Sequence, residues 1–273
     1  MLVNDSSEVI YFDNRQIPIS EQVSLGFPRN LRHYAHNVVM IDGKYYYAKK
    51  CSVNTLINEL IGSYYSTLIG LDAVDYRIGK TNTDKNSLYA LSEIFYKDGY
   101  SYTTVENIFG GLRPDDSKIY SRGLGSLYVC DTSVLSLVNS RQLIDDVLKM
   151  SAVDLKTGQV DRYNYNVILR DNGIEKELEK VFDFGWSYAG DKKDNKSAYY
   201  NPFLVVRRNT ISILGLAHRY PQIRESAAIL STTPLYDVLK DIESRFNIRI
   251  EDDDITGYLE MDESYSKLLR KVR

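Results

Sequence analysis

Asp42-Gly43 restricts the fold of this chain more than any other pair of residues. It lies between two β-prone runs, Asn37-Val38-Val39-Met40-Ile41 and Lys44-Tyr45-Tyr46-Tyr47-Ala48. Both turn residues tolerate positive φ, as a tight two-residue hairpin requires, so the two runs are expected to pair antiparallel. A helix is expected next, from about Asn54 to Ile69. Asn54 can cap it, Leu56, Leu60, Tyr64 and Leu68 recur every four residues as an apolar stripe, and Gly70 stands where a C′ glycine ends such helices. Ala73 to Ile78 and Ser87 to Ile94 read as further strands. The first third is thus a small sheet with one inserted helix.

The middle of the chain changes character. Leu124 to Leu137 and Ser140 to Ala152 read as helices, the second with Leu143, Val147 and Met150 on one face. Val167 to Arg170 and Leu178 to Phe182 read as short strands around the polar loop Asp171 to Glu175. Beyond Gly185 the pattern is helical: Pro202 to Tyr220, Pro234 to Phe246 and Asp262 to Lys271. The acidic run Glu251-Asp252-Asp253-Asp254 suits a solvated loop or a helix start, where carboxylates meet the positive end of the dipole. No Pro/Gly/Ser linker divides the chain, which suits one two-lobed unit of 273 residues or two small domains. The expected class is α+β in two lobes, 1–92 and 93–273, joined within Leu91 to Lys97.

Composition removes several alternatives. Apolar residues make up 43% and charged residues 26%, a globular profile rather than a disordered one. A net charge of -3 argues against a general nucleic-acid binder, which would neutralise many phosphates with clustered Lys and Arg. No apolar run approaches the roughly 20 residues that span a bilayer, and Met1 to Ser20 has early charges and no apolar core of a signal peptide. Cys51 and Cys130 make no disulfide framework or zinc site, and three scattered histidines add no ligand cluster. A soluble, cytoplasmic protein is expected. The 23 tyrosines against eight phenylalanines and one tryptophan read as a compositional habit suited to half-buried sheet positions.

The chemistry concentrates in Thr157-Gly158-Gln159-Val160-Asp161-Arg162-Tyr163-Asn164-Tyr165-Asn166 and Val181-Phe182-Asp183-Phe184-Gly185. An Asp, an Asn five residues later, a short hairpin and a second Asp before Phe-Gly follow in order. Phosphoryl transfer from ATP uses such a set: one carboxylate accepts or orients the hydroxyl proton, while an amide oxygen and a second carboxylate hold magnesium against the phosphates. Singly these residues are ordinary, since Asp161-Arg162 suits a surface ion pair and Asn164 and Asn166 suit turns. Their order and spacing point to a site. A nucleotide site of this kind also wants a strand-borne lysine held by a glutamate of the next helix. Lys49 and Lys50 end the second hairpin strand, and Glu59 lies near the start of the helix. Alternation puts Lys49 on the face of Tyr45 and Tyr47, and Lys50 on that of Tyr46 and Ala48.

The series Gly43-x5-Lys49, Asn58-Glu59, Gly158-Gln159-x-Asp161-Arg162-x-x-x-Asn166 and Asp183-Phe184-Gly185 resembles the HipA-like serine/threonine kinases, over roughly residues 40 to 190. These belong to the lipid-kinase-like branch of the protein kinase fold. The resemblance implies a two-lobed protein-kinase-like fold, with a small sheet-rich nucleotide-binding lobe and a larger helical catalytic lobe. It implies Asp161 as catalytic base, Asn166 and Asp183 as magnesium ligands, and Leu88 to Glu93 as the hinge that passes the adenine of ATP. Its glycine-to-lysine spacing favours Lys49 over Lys50, with Glu59 beside it. It implies a protein hydroxyl as acceptor and admits an antitoxin-like partner, with no direct nucleic-acid or membrane binding. Two features depart from the family: Tyr163 stands where His is usual, and Ser24-Leu25-Gly26-Phe27 with Pro28-Arg29-Asn30 is the only candidate phosphate loop. A pseudokinase that keeps the fold as a binding module is the main alternative. A lipid or small-molecule kinase is another, with only Arg207-Arg208 and Arg270-Lys271-Arg273 as basic candidates.

Overall fold

The computed structural model describes residues 2–3, 9–24, 38–84, 86–97, 99–104, 140–159, 166–185, 187–189 and 220–272. Ile41 pairs with Lys44 across the Asp42-Gly43 turn, whose residues take φ of 49° and 77°. The turn joins β3 (Val38–Ile41) to β4 (Lys44–Cys51). With β2 (Val9–Phe12), β5 (Tyr76–Thr81) and β6 (Leu88–Glu93) they form a five-stranded sheet in the order β2-β5-β6-β4-β3, antiparallel except where β2 meets β5. One face buries Phe12, Val39, Ile41, Ala48, Tyr89 and Leu91 as a core of its own. The other contributes Ile78 and Ala90 to the main core, into which α2 (Val53–Leu68) puts Leu56, Ile57, Leu60, Ile61 and Tyr65. A short α1 (Ile19–Ser24) precedes the hairpin.

Local chemistry shifts several expected boundaries. Ser52, not Asn54, caps α2: it has the extended backbone of a cap, and its hydroxyl accepts the Thr55 N–H at 3.2 Å. Gly70 takes φ of 77° just past the helix, as expected. β5 begins at Tyr76 rather than Ala73, because the preceding residues pair elsewhere. Asp72 O accepts from Val181 N (2.8 Å) and Val74 N donates to Val181 O (3.0 Å), leaving Ala73 in an isolated bridge. The same contacts shorten the later hairpin. Its second strand is β9 (Lys176–Leu178), not Leu178 to Phe182, and it pairs with β8 (Ile168–Asp171), which pairs in turn with β7 (Ser101–Thr104).

The C-terminal part is built on α3 (Arg141–Thr157), capped by Ser140 and ended by Gly158 at φ 60°. It runs five residues past the expected end, and its last two turns are wholly buried. Against it pack α4 (Pro221–Thr232) and α6 (Asp252–Val272), with α5 (Leu235–Phe246) between α6 and α2. The sequence reading has no α4. The acidic run supplies the first turn of α6, which starts ten residues before the expected Asp262. Leu2 and Val3 fall within 1–92 but form β1, antiparallel to β10 (Ile248–Arg249) of the second part. The expected helices Leu124 to Leu137 and Pro202 to Tyr220 lie outside the described residues, apart from Tyr220, which precedes α4.

A buried ion pair ties these helices together. Lys156 is 1% exposed, and its Nζ lies 2.8 Å from Asp262 Oδ1, 2.9 Å from Ser266 Oγ and 5.2 Å from the centre of the Tyr65 ring. Burial lowers the pKa of this ammonium, and Asp262 opposes that only in part. Removing one partner leaves the other charge buried and unpaired. Asp262→Asn is therefore expected to lose about 3 kcal/mol in urea unfolding, whereas the double variant Lys156→Met/Asp262→Leu should stay within about 1 kcal/mol of wild type.

Candidate active site

Strand alternation decides between the two lysines. Lys50 is exposed, with its Nζ 4.0 Å from Asp84, and is not brought to the other candidate residues. Lys49 turns toward α2, where its Nζ lies 2.8 Å from Glu59 Oε1 and 2.5 Å from Asp183 Oδ1. Burial works against the charge of Lys49, but the Glu59 and Asp183 carboxylates outweigh it and hold the ammonium above its ordinary pKa. Glu59 has no exposed side-chain surface, and its second oxygen accepts the Phe184 N–H at 2.7 Å. One carboxylate thereby joins the sheet, α2 and the Asp-Phe-Gly segment.

Asp183 has φ of 61°, in the left-handed region that side chains other than glycine seldom adopt. Such a conformation costs on the order of 1–3 kcal/mol and persists only where surrounding contacts impose it. Here they do. The Asp183 N–H donates to Tyr76 Oη at 3.3 Å, and Gln159 Nε2 donates to Asp183 O at 2.5 Å. Burial first, then Glu59 and Asp183, push the Tyr76 phenol well above its ordinary pKa, so it acts here as a neutral hydroxyl. Beyond Asp183, Asn58 Nδ2 donates to Gly185 O (3.2 Å) and Ser187 O (2.7 Å), while Asn58 Oδ1 accepts from Tyr258 Oη of α6 at 2.9 Å. A Cβ on Gly185 would come within 2.9 Å of Thr55 Cγ2 and 3.2 Å of Lys49 Nζ. Glycine is what lets the backbone lie this close to the ion pair.

The remaining candidates separate. Asn166 is buried two residues before β8, at the mouth of the hairpin. Asp161 lies outside the described residues, in the segment between the buried Gln159 and Asn166. Also outside them are Tyr163, Asn164, Cys130 and the candidate phosphate loop beyond Ser24. Glu93, the last residue of the expected hinge, has its carboxylate 3.1 Å from Lys44, because β6 ends opposite Tyr46 with Glu93 on the exposed side. Burial pushes the Cys51 thiol up to about 11, so it is not a poised nucleophile. Among the described residues no group of three or more His, Cys, Asp or Glu could hold a metal by itself. A carboxylate and an amide oxygen, from Asp183 and Asn166, still fit magnesium, which takes few protein ligands beside phosphate oxygens and water. Sequence reasoning missed Tyr76 and Tyr258. Nothing in a tyrosine's local sequence marks which distant amide or side chain its hydroxyl will meet.

Packing gives this arrangement a sharp test. The Phe184 ring lies on Gly62 of α2, and a Cβ there would stand 2.0 Å from the ring. Helix propensity alone would make Gly62→Ala stabilising by roughly 1 kcal/mol. Phe184 is fully buried, so Gly62→Ala is expected to overpack the core and destabilise by about 1–3 kcal/mol. Phe184→Leu in the same chain should recover part of that loss in thermal melts.

No family model matches the chain, and no curated protein matches it by sequence. Solved structures do match it. The proinflammatory kinase CtkA of Helicobacter pylori superposes with a TM-score of 0.55 at 14% identity, over 86% of this chain and 89% of that one. HipA of Shewanella oneidensis MR-1, solved in a toxin–antitoxin complex with HipB and operator DNA, superposes with a TM-score of 0.50 at 11% identity, over 86% of this chain and 62% of that one. At these identities the likeness shows the fold: this chain has the two-lobed, kinase-like α+β architecture of CtkA and HipA.

Proposed function

We propose that the chain is an ATP- and magnesium-dependent phosphotransferase that transfers the γ-phosphate to a serine or threonine hydroxyl of a protein. The observation that carries this reading is the meeting of Lys49, Glu59 and Asp183, three residues from a strand, a helix and the segment after a hairpin. In this reading Lys49 holds the α- and β-phosphates and Glu59 positions it. The raised pKa of Lys49 keeps it cationic at neutral pH. Asp183 and Asn166 supply the protein oxygens for magnesium, whose chemistry there is to neutralise phosphate charge. Asp161 orients the acceptor hydroxyl and takes its proton. The β6 backbone from Leu88 to Glu93 serves as the adenine hinge, Glu93 contributing main chain rather than carboxylate.

The lobe division at residue 92 belongs to the same reading, with β1 as an N-terminal strand returned to the second lobe. HipA was solved with HipB, and an antitoxin-like partner is the partner class we extend to this chain. No helix among the described residues is long and apolar enough to cross a membrane, and a cytoplasmic site of action belongs to the same reading.

Incubation with labelled ATP and magnesium tests the assignment. Asp161→Asn should lower phosphate transfer by about 10²- to 10⁴-fold while nucleotide affinity and Tm stay near wild type. Loss of fold in that variant, with unchanged activity per folded molecule, would make Asp161 a structural loop residue and favour the pseudokinase. Asp183→Asn should abolish magnesium-dependent binding of an ATP analogue in calorimetry. Binding that ignores both the metal and the substitution would refute the phosphotransferase reading.

A further inference from the structure

Helix α2 also forms one wall of a cavity of about 590 Å³, within the range of small-molecule sites. Leu60 and Leu71 meet Ile242 and Phe246 of α5 in its apolar floor. Charged side chains stand around the opening. Lys180 is taken by Asp72 at 2.6 Å and Arg245 by Asp75 at 2.6 Å, with Arg77, outside the cavity, adding a 3.4 Å contact to Asp75. Both lining cations are therefore already engaged by carboxylates. Asp241, the third lining carboxylate, has no ion-pair partner among the described residues. An apolar floor under one uncompensated negative charge selects a cation with an apolar body and disfavours an anion.

The cavity is wired to the Asp-Phe-Gly segment through its own wall. Asp72 and Val74 hydrogen-bond both polar groups of Val181, two residues before Asp183. Ser63 of the α2 wall donates to Val74 O at 2.5 Å. Tyr76, which lines the cavity, accepts the Asp183 N–H. A ligand that braces residues 71–76 thus braces the contacts that hold Asp183 in its left-handed conformation.

We propose that this cavity is a regulatory site for a small organic monocation, its apolar body on the Leu60, Leu71, Ile242 and Phe246 floor and its ammonium at Asp241, and that its occupancy restrains Asp183. The proposal does not rest on the phosphotransferase reading, and its test needs no nucleotide. The full chain is titrated by calorimetry with 4-phenylbutylamine, 4-phenylbutanol and 4-phenylbutyrate, which share one apolar body and differ in charge. The amine should bind best, the alcohol about fivefold more weakly, as an exposed ion pair allows, and the acid weakest. Asp241→Asn, at an exposed position, should melt like wild type and bring the amine down to the level of the alcohol. Hydrogen exchange at the Asp183 amide should slow with the amine in wild type and not in Asp241→Asn. Equal affinity for all three compounds, no saturable amine binding, or amine binding unchanged in Asp241→Asn would overturn the site. Amine binding without slower exchange at Asp183 would overturn its regulatory role.

Discussion

A carboxylate with no contact to water must find its counter-charges and donors inside the protein, and Glu59 finds them in Lys49 and the Phe184 N–H. An unpaired charge in that position would cost several kcal/mol, so the contact sets conditions on everything around it. β4 must present Lys49, not Lys50, toward α2, which fixes the register of the hairpin. α2 must sit close enough for Glu59 to reach both partners, and Gly62 permits this by leaving space for the Phe184 ring. The backbone after the second hairpin must arrive with the Phe184 N–H pointing inward. That is the geometry in which Asp183 adopts positive φ and places a carboxylate oxygen on the same lysine.

Much of this is local and therefore legible in the sequence. Asp42-Gly43 encodes a turn in two residues, and the i+4 stripe with Gly70 encodes α2, because turn chemistry and periodicity act over short distances. The ordering of Lys49, Glu59, Asn166 and Asp183 along the chain was legible as well. What escaped depends on competition or on distance. Ser52 and Asn54 are both good caps, and only the backbone angle at 52 chooses between them. Glu93 reads as a hinge residue, and nothing in its local sequence shows that its carboxylate will meet Lys44 on the neighbouring strand. Ala73 looks like the start of a strand by composition, but its neighbours bond to Val181 instead. The α4 helix has Pro at its first turn and a weakly amphipathic sequence, so periodicity alone did not separate it from its surroundings.

The tyrosines change meaning once their hydroxyls are placed. A composition of 23 tyrosines suggests filler for half-buried sheet, and some fit that description. Tyr76 and Tyr258, however, terminate at the two groups that hold the Asp-Phe-Gly segment: the Asp183 N–H and the Asn58 side chain. Tyr188 packs edge-on against Tyr258, with ring centres 5.5 Å apart, and its hydroxyl lies 3.4 Å from Asp262 of the buried ion pair. Phenylalanine at 76 or 258 would fill the same volume but leave the Asp183 N–H or the Asn58 Oδ1 without its tyrosine partner, whereas Asp262 would keep Lys156.

These contacts connect two charged clusters that share no residue. Lys49, Glu59 and Asp183 hold the sheet to α2, whereas Lys156 and Asp262 hold α3 to α6. Asn58 stands between them: it precedes Glu59 on α2, fixes the carbonyls of Gly185 and Ser187, and receives Tyr258 from the helix that carries Asp262. A shift of α6 along its axis would have to break the Tyr258 bond or carry Asn58 with it, and movement of Asn58 releases the backbone two residues past Asp183. The left-handed conformation of Asp183 is therefore held from both lobes at once. A strained residue secured in that way has one well-defined position for its carboxylate, which is what a group that must meet a cation at a fixed point requires.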